Sequence, residues 1–183
     1  MDEYLTLVDE NDQPCGKMEK LKVHQLGLLH RAFSVFIFNT KGELLLQQRA
    51  DNKYHSGGLW TNSCCSHPQF GEKLSSAIER RLKEEIGIHC HTYFAFNFIY
   101  KTEFPNGLTE HEFDHVYFGV SNDKPFPTAC EVKNWKYISL QHLELDILSQ
   151  PENYTEWLKI CMPKAIKYFQ ETFKSKLLEY API

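Results

Sequence analysis

Apolar and polar residues alternate along much of the first seventy positions, which predicts a series of β-strands. The run "YLTLVD" predicts the first strand, and "ENDQPCG" after it is typical of a turn. A polar stretch with His24 and His30 precedes the runs "AFSVFIFN" and "LLLQQR", which we expect to pair as a hairpin across "TKGE". The run "GLWTNSCCSH" predicts one further strand.

The spacing of the apolar residues changes from every second to every fourth position in "KLSSAIERRLKEEIG", which predicts the first helix. Leu74, Ile78, Leu82 and Ile86 recur at every fourth position, as on the buried face of a helix. Gly87 follows directly, and a glycine at this point commonly ends a helix.

The second half of the chain predicts a long hairpin and two further helices. The strands "HTYFAFNFIYKTEF" and "EHEFDHVYFGV" would pair across "PNGLT", and "WKYISL" would be a short strand before a helix near "QHLELDIL". We expect Pro163 to open the last helix. Its apolar stripe would consist of Ile166, Phe169, Phe173 and Leu177. Hairpins with interspersed helices predict a mixed α/β sandwich of the α+β type.

Length and composition narrow the class of protein. At 183 residues with 42% hydrophobic and 24% charged residues, the chain is expected to form one globular domain over residues 1–183. A net charge of −4 argues against broad binding to nucleic acid. No apolar run approaches the roughly 18 residues that a membrane span needs.

The N-terminal sequence and the cysteines predict a cytoplasmic protein. "MDEYLTLVDE" lacks the basic start and apolar core of a signal peptide. Without such a signal, we expect the six cysteines to be reduced thiols. Adjacent Cys64 and Cys65 would also bridge only with strain.

The cysteine pair lies on a predicted strand, where successive side chains point to opposite faces. Cys65 would therefore share a face with His67, Thr61 and Ser63, and Cys64 would fill the core. A lone Cys-x-His is a weak metal signal, and free cysteine is often simply buried.

Two carboxylates and two further histidines complete a candidate metal site. Glu110 and Glu112 share one strand face, where they repel each other unless a cation or proton lies between them. A solvated strand edge is the alternative for that pair. His24 and His30 lack helical ligand spacing, so their segment would be a loop that folds back if both bind metal. Imidazoles with carboxylates suit a divalent transition metal or a magnesium-type ion.

The helix "ERRLKEEIG" carries acids and bases four residues apart, Arg80 with Glu84 and Arg81 with Glu85. Taken alone, these are ordinary surface ion pairs of about 0.3–0.5 kcal/mol each. The stretch "SHPQFGEKLSSAIERRLKEEIGI", however, resembles the Nudix signature, with two departures: Ser66 replaces a glycine and Arg81 replaces a glutamate of the metal-binding helix. The matching positions are Glu72, Arg80, Leu82, Glu84, Glu85, Gly87 and Ile88.

A narrower resemblance accounts for both departures. The blocks "LLHRAFSVFIFN", "LLLQQRA", "WTNSCCSHP", "EHEFD" and "YTEWLKICMPKA" are similar to the type I isopentenyl-diphosphate isomerases, a Nudix-fold branch that does not hydrolyse its substrate. The similarity extends from about residue 4 to residue 170. It implies a Nudix-like mixed-sheet α/β/α sandwich with a C-terminal helix.

This resemblance also implies the reaction and the residues that perform it. The family moves the double bond of a five-carbon allylic diphosphate through a tertiary carbocation. Cys65 and Glu112 match its two proton-transfer residues. Tyr100 matches the tyrosine bonded to the catalytic glutamate, and Trp157 matches the aromatic ring over the isoprenoid carbons.

The remaining implied roles concern metal and diphosphate. One divalent metal (Mg, Mn or Zn) would be held by His24, His30, His67, Glu110 and Glu112. Glu85 would help to hold a second Mg bridged to the diphosphate. The diphosphate itself would be bound by Lys20, Arg49, Lys53 and Arg81. The expected partner is thus a small molecule, bound by a monomer.

Two other functions stay open at this point. A Nudix pyrophosphohydrolase is the first, because Glu72, Glu84 and Glu85 are retained. A non-catalytic, metal-stabilised binding module is the second, with the histidines in a structural role. The second gives no reason for Tyr100 and Trp157 to match family positions.

Overall fold

The computed structural model describes residues 3–180. A nine-stranded sheet forms its centre. The strands are β1 (Tyr4–Val8), β2 (Pro14–Glu19), β3 (His30–Phe38), β4 (Glu43–Arg49), β5 (Trp60–Thr61), β6 (Cys64–Ser66), β7 (Thr92–Glu103), β8 (Thr109–Val120) and β9 (Val132–Ser139). The helices are α1 (Lys20–Leu26), α2 (Leu74–Ile86), α3 (Leu140–Ser149), α4 (Glu156–Tyr168) and α5 (Lys174–Leu177).

Strand β3 organises the sheet because its two edges pair with different strands. It runs parallel to β8 along its whole length and antiparallel to β6. The predicted hairpin of β3 and β4 is present, but the two strands pair only at Phe38 and Leu44 before they diverge. Strand β4 pairs instead with β5 and β9. This divergence leaves space between the two halves of the sheet.

Helices cover both faces of the sheet, which confirms the predicted α/β/α sandwich. Along β3, Phe33, Val35 and Ile37 belong to one buried cluster, to which α2 contributes Ile78 and Leu82. The alternate residues Phe36 and Phe38 belong to a second cluster, which includes α3, α4 and α5. Because this strand is covered on both sides, "AFSVFIF" is apolar at every position except Ser34, which donates a hydrogen bond to Asp114.

The predicted start of the last helix at Pro163 is wrong. Helix α4 begins at Glu156, after Thr155 in extended conformation, and Pro163 lies inside it. The first turn is fixed by the burial of Trp157 and Leu158. Pro163 is exposed, so water can bond to the carbonyl group of Lys159 that loses its helical partner. A π-helical turn at Phe169–Phe173 then connects α4 to α5.

The stretch "GLWTNSCCSH" forms two short strands rather than one. It is interrupted at Asn62 and Ser63, whose side chains bond to backbone groups of the diverging strands. Ser63 Oγ donates to the carbonyl oxygen of Leu45 and accepts from the Ile37 N–H. The predicted grouping of Ser63 with Cys65 is therefore wrong, because the break resets the alternation.

No helix among residues 3–180 is long and apolar enough to cross a membrane. The six cysteines all lie in this range and are all unpaired there.

Candidate active site

A cavity between the diverging strands brings together most of the side chains selected from the sequence. His24 and His30 lie behind its wall and are fully buried. The selected residues that line it are Lys20, Arg49, Lys53, Cys65, His67, Arg81, Glu85, Tyr100, Glu110, Glu112 and Trp157.

The register of β3 explains how distant segments meet at this cavity. Ser34 pairs with Cys65 on β6, and His30 pairs with Glu112 on β8. The two candidate proton-transfer residues are thus carried by strands on opposite edges of β3.

The segment with His24 is helical, so its assignment as a loop is wrong. Glu19 caps α1 by accepting hydrogen bonds from two backbone N–H groups, which starts the helix within a polar sequence. Gly27 ends it with a positive φ of 60°, and a Cβ there would lie 3.2 Å from Thr109. This turn directs the chain back into β3, so that His24 and His30 face each other with ring centroids 4.9 Å apart.

Four of the predicted metal ligands form a compact buried group. One ligand atom from each of His24, His30, His67 and Glu110 lies within 4.8 Å of the others. Glu112 adjoins this group, with its Oε1 2.8 Å from Nε2 of His67 and 3.8 Å from Nε2 of His30.

Hydrogen bonds behind the group orient its histidines so that it could hold a cation. Nδ1 of His24 lies 2.6 Å from the carbonyl oxygen of Lys20, and Nδ1 of His30 lies 2.9 Å from that of Leu28. Each Nδ1 therefore carries the proton and donates, which leaves the Nε2 lone pair directed into the group. Nε2 of His24 faces Oε2 of Glu110 at 3.2 Å, and both atoms are buried without an aligned partner. A metal ion between them would satisfy both, so the site fits a divalent metal.

Burial sets the protonation of two histidines in this group, His30 and His67. It lowers the pKa of His30 to about 4 and that of His67 well below its usual value, so both are neutral ligands at pH 7. Burial would also raise the pKa of Glu110, but the neighbouring imidazoles of His24 and His55, with Nε2 atoms 3.2 Å and 2.8 Å from its oxygens, hold it well below its usual range. Burial and the Glu110 charge raise the pKa of Glu112.

Cys65 and Cys64 have different environments, as the face assignment predicted. Cys64 is fully buried in the cluster with α2. Cys65 lines the cavity, where its Sγ lies 3.9 Å from Oγ1 of Thr61 and 4.0 Å from a guanidinium nitrogen of Arg49. Burial raises the pKa of the Cys65 thiol to about 11, against the opposing charge of Arg49. Cys65 is therefore a protonated thiol at neutral pH.

Two aromatic side chains line the cavity close to these groups. The Tyr100 hydroxyl donates a 2.8 Å hydrogen bond to Oε2 of Glu112. Trp157 lies in the first turn of α4, and its Nε1–H donates a 2.8 Å hydrogen bond to Oγ1 of Thr61. The Arg49 guanidinium lies 5.1 Å from the indole centroid.

Two cationic side chains that line the cavity form ion pairs with acidic residues. Arg81 contacts Glu85 at 2.7 Å and Glu131 at 3.0 Å, and Lys53 also bonds to Glu131. The second oxygen of Glu85 accepts a 2.8 Å hydrogen bond from Gln47. The arginine in place of a signature glutamate thus neutralises an acidic cluster.

Besides Ser66 of the Nudix-like stretch, four polar residues that the sequence did not indicate line this cavity. They are Gln47, Tyr54, His55 and Glu131. Each is isolated within its own segment, with no period or paired partner nearby, so no local pattern marked them. Only the convergence of β4, the loop after it and the segment before β9 places them together.

A curled mixed sheet with an acid-bearing helix beside a cavity is the architecture of a Nudix domain, and the NUDIX domain family model matches residues 28–158. A crystal structure of DR0079 from Deinococcus radiodurans is similar in fold, with a TM-score of 0.68 and 21% identity, over 81% of this chain and 90% of that one.

Sequence comparison narrows this class. An isopentenyl-diphosphate Delta-isomerase from Pectobacterium atrosepticum is 47% identical over 94% of this chain and 96% of its own length. An isopentenyl-diphosphate Delta-isomerase 2 from Photorhabdus laumondii is 50% identical over 87% of this chain and 90% of its own length. The chain belongs to the isopentenyl-diphosphate Delta-isomerase family.

Proposed function

We propose that this protein is an isomerase of isoprenoid biosynthesis, which interconverts isopentenyl diphosphate and dimethylallyl diphosphate. The observation that carries the proposal is the joint exposure of Cys65 and Glu112 to one cavity that is also lined by four cationic side chains. An acid and a base beside the carbon skeleton, with cations for the diphosphate, are what a double-bond shift in this substrate needs.

The reaction would proceed by one proton addition and one proton removal. A proton added to the terminal alkene carbon gives a tertiary carbocation at the substituted carbon, and loss of a proton from the methylene group on the diphosphate side of that carbon gives the isomeric alkene. Cys65 and Glu112 would carry out these two transfers, with one residue donating the first proton and the other accepting the second. Cys65 is a neutral thiol, and Glu112 is held by the hydrogen bond from Tyr100. General acid–base catalysis of this kind contributes roughly 10²–10⁴ in rate. The diphosphate is not attacked.

The metal would be held by His24, His30, His67, Glu110 and Glu112. A bound Mg²⁺, Mn²⁺ or Zn²⁺ would supply positive charge that keeps both carboxylates ionised and in place. The unpartnered Nε2 of His24 and Oε2 of Glu110 support this ligand set.

The diphosphate would bind to the cationic side chains that line the cavity. Lys20, Arg49, Lys53 and Arg81 all line the cavity, and bidentate arginine contacts suit phosphate oxygens. Glu85 would help to hold a second Mg²⁺ bridged to the diphosphate. Its two oxygens are already oriented by Arg81 and Gln47.

We extend the proposal to a monomer in the cytoplasm. The unpaired state of all six cysteines in the described residues supports a reducing compartment. Every predicted site residue comes from one chain, so the cavity needs no second copy.

A direct assay tests the proposed reaction. The protein would be incubated with isopentenyl diphosphate and Mg²⁺, and dimethylallyl diphosphate would be measured by its acid lability. We expect acid-labile product without phosphate release. Phosphate release from a nucleoside diphosphate, without isomerisation, would instead support the pyrophosphohydrolase that Glu72, Glu84 and Glu85 keep open.

Replacement of Trp157 by phenylalanine is expected to lower kcat several-fold and to change KM little. Phenylalanine keeps a π-face but stabilises a nearby cation less than indole does, an interaction of about 2 kcal/mol when desolvated. Trp60→Phe is the matched control, because Trp60 packs against the same cluster but does not line the cavity. If Trp157→Phe keeps wild-type turnover and only melts earlier, Trp157 has a packing role alone.

Replacement of Arg81 by glutamate restores the Nudix signature, and we expect it to raise KM by at least tenfold without creating an efficient hydrolase. It removes one of the cationic side chains that line the cavity and places a further carboxylate beside Glu84, Glu85 and Glu131. Arg80→Glu is the control, since Arg80 carries the same charge but does not line the cavity. Steady-state kinetics and phosphate release would be measured for both, and strong pyrophosphohydrolase activity in Arg81→Glu would contradict the account.

A further inference from the structure

His55 is a buried cavity residue for which neither the proton transfer nor the ligand set gives a role. Its side chain lies in the loop between β4 and β5 and is only 7% exposed. Its Nε2 lies 2.8 Å from Oε1 of Glu110. This oxygen is not the one that faces His24, since His24 contacts Oε2.

The neighbouring serine indicates which nitrogen of His55 carries the proton. Oγ of Ser56 lies 3.2 Å from Nδ1 of His55. A carboxylate that binds a metal can only accept, so Nε2 of His55 would face Oε1 of Glu110 as the donor, and Nδ1 would accept from the Ser56 hydroxyl. Ser56 has a positive φ of 52°, a backbone conformation that non-glycine residues adopt at some cost. The loop therefore maintains an unfavourable conformation at the point where it presents His55 to Glu110.

Packing fixes the ring of His55 from its other sides. It stacks on Phe104 with centroids 4.5 Å apart and an interplanar angle of 15°. The Trp157 ring meets it edge-on at 5.8 Å. Next to it, the Asn106 side chain donates a 2.7 Å hydrogen bond to the carbonyl oxygen of Tyr54. These contacts attach the β4–β5 loop to the tip of the β7–β8 hairpin.

We propose that His55 is a positioning residue of the candidate metal site, which holds Oε1 of Glu110 and thereby keeps Oε2 directed at the imidazoles of His24 and His30, where a metal would be bound. The proposal deepens the proposed function, since it concerns the same metal site. The two oxygens of Glu110 then have different surroundings. Oε1 contacts His55, and Oε2 lies near His24 and His30 of the ligand group. Partners that orient a metal ligand in this way typically contribute 10–100-fold in metal affinity.

Two substitutions separate the contact of His55 Nε2 with Glu110 from the packing of the ring. His55→Gln keeps an N–H donor at nearly the same reach but loses the ring. His55→Phe keeps a ring to stack on Phe104 but has no donor. The affinity of the full-length protein for Zn²⁺ would be measured by competition with a chromophoric chelator, with melting temperatures recorded alongside. Where His55→Phe does not fold, His55→Leu takes its place as the variant without a donor.

We expect His55→Phe to bind Zn²⁺ 10–100-fold more weakly than the wild type and His55→Gln to stay within about threefold. Wild-type affinity in the Phe variant, or an equal loss in both variants, would overturn the positioning role, as would a wild type that does not bind Zn²⁺. Isomerisation is assayed separately. A wild type that binds Zn²⁺ and does not isomerise would therefore overturn the proposed function without affecting the result for His55.

Discussion

Replacement of Cys65 by alanine is expected to lower the rate of isomerisation by roughly 10²–10⁴, the contribution of a positioned acid or base. Cys65 lines the cavity and holds its proton at neutral pH, because burial raises its pKa to about 11. Alanine keeps the small size of the side chain but cannot exchange a proton. The measurement is kcat with isopentenyl diphosphate at saturating Mg²⁺.

Cys64→Ala is the matched control for Cys65. Cys64 belongs to strand β6, its side chain is fully buried in the α2 cluster, and it does not line the cavity. We expect it to keep most of the activity and to lose some thermal stability, because a small cavity would form in the core. An equal loss of activity in both variants, with both folded, would show that the face assignment of the two cysteines does not decide function.

The second large effect is expected at His67, whose replacement by alanine should remove the tightly bound metal. His67 contributes Nε2 to the buried ligand group, 3.1 Å from Nε2 of His30 and 2.8 Å from Glu112. Burial keeps it neutral, which is the form that binds metal. Elemental analysis of the purified protein should show about one divalent metal per chain in the wild type and almost none in His67→Ala. Activity should fall with the metal.

A control for His67 is available on α3. His142 is exposed, and its ring bonds to the Ser139 side chain at the start of that helix. His142→Ala should keep the metal content of the wild type. Unchanged metal content in His67→Ala would remove His67 from the ligand set.

The long strands β7 and β8 and helix α2 were predictable because their hydrophobic patterns are long. The twelve-residue strands β7 and β8 and the thirteen-residue α2 repeat their patterns several times. Helix α1 escaped prediction, since it has seven residues, only two of them buried, and depends on the Glu19 cap and the Gly27 turn. The prediction that the last helix begins at Pro163 was wrong because the burial of Trp157 and Leu158 in the tertiary structure starts α4 earlier than the local sequence indicates.

The candidate site was predictable in parts that share one strand. Period-two alternation alone joined Cys65 to His67 and Glu110 to Glu112. It did not show that β3 lies between those two strands, and the basic residues entered only through resemblance to a family. His55 and Glu131 reach the cavity from segments without periodic patterns, so their proximity depends on tertiary structure.

The most direct test of the account follows both proton transfers and the fate of the diphosphate at once. The wild-type protein would be incubated with isopentenyl diphosphate and Mg²⁺ in D₂O and monitored by ¹H and ³¹P NMR. A thiol and a carboxylic acid exchange their protons with solvent, so we expect dimethylallyl diphosphate that contains deuterium, with the diphosphate signals retained. Release of phosphate or pyrophosphate without a new methyl signal would contradict the account.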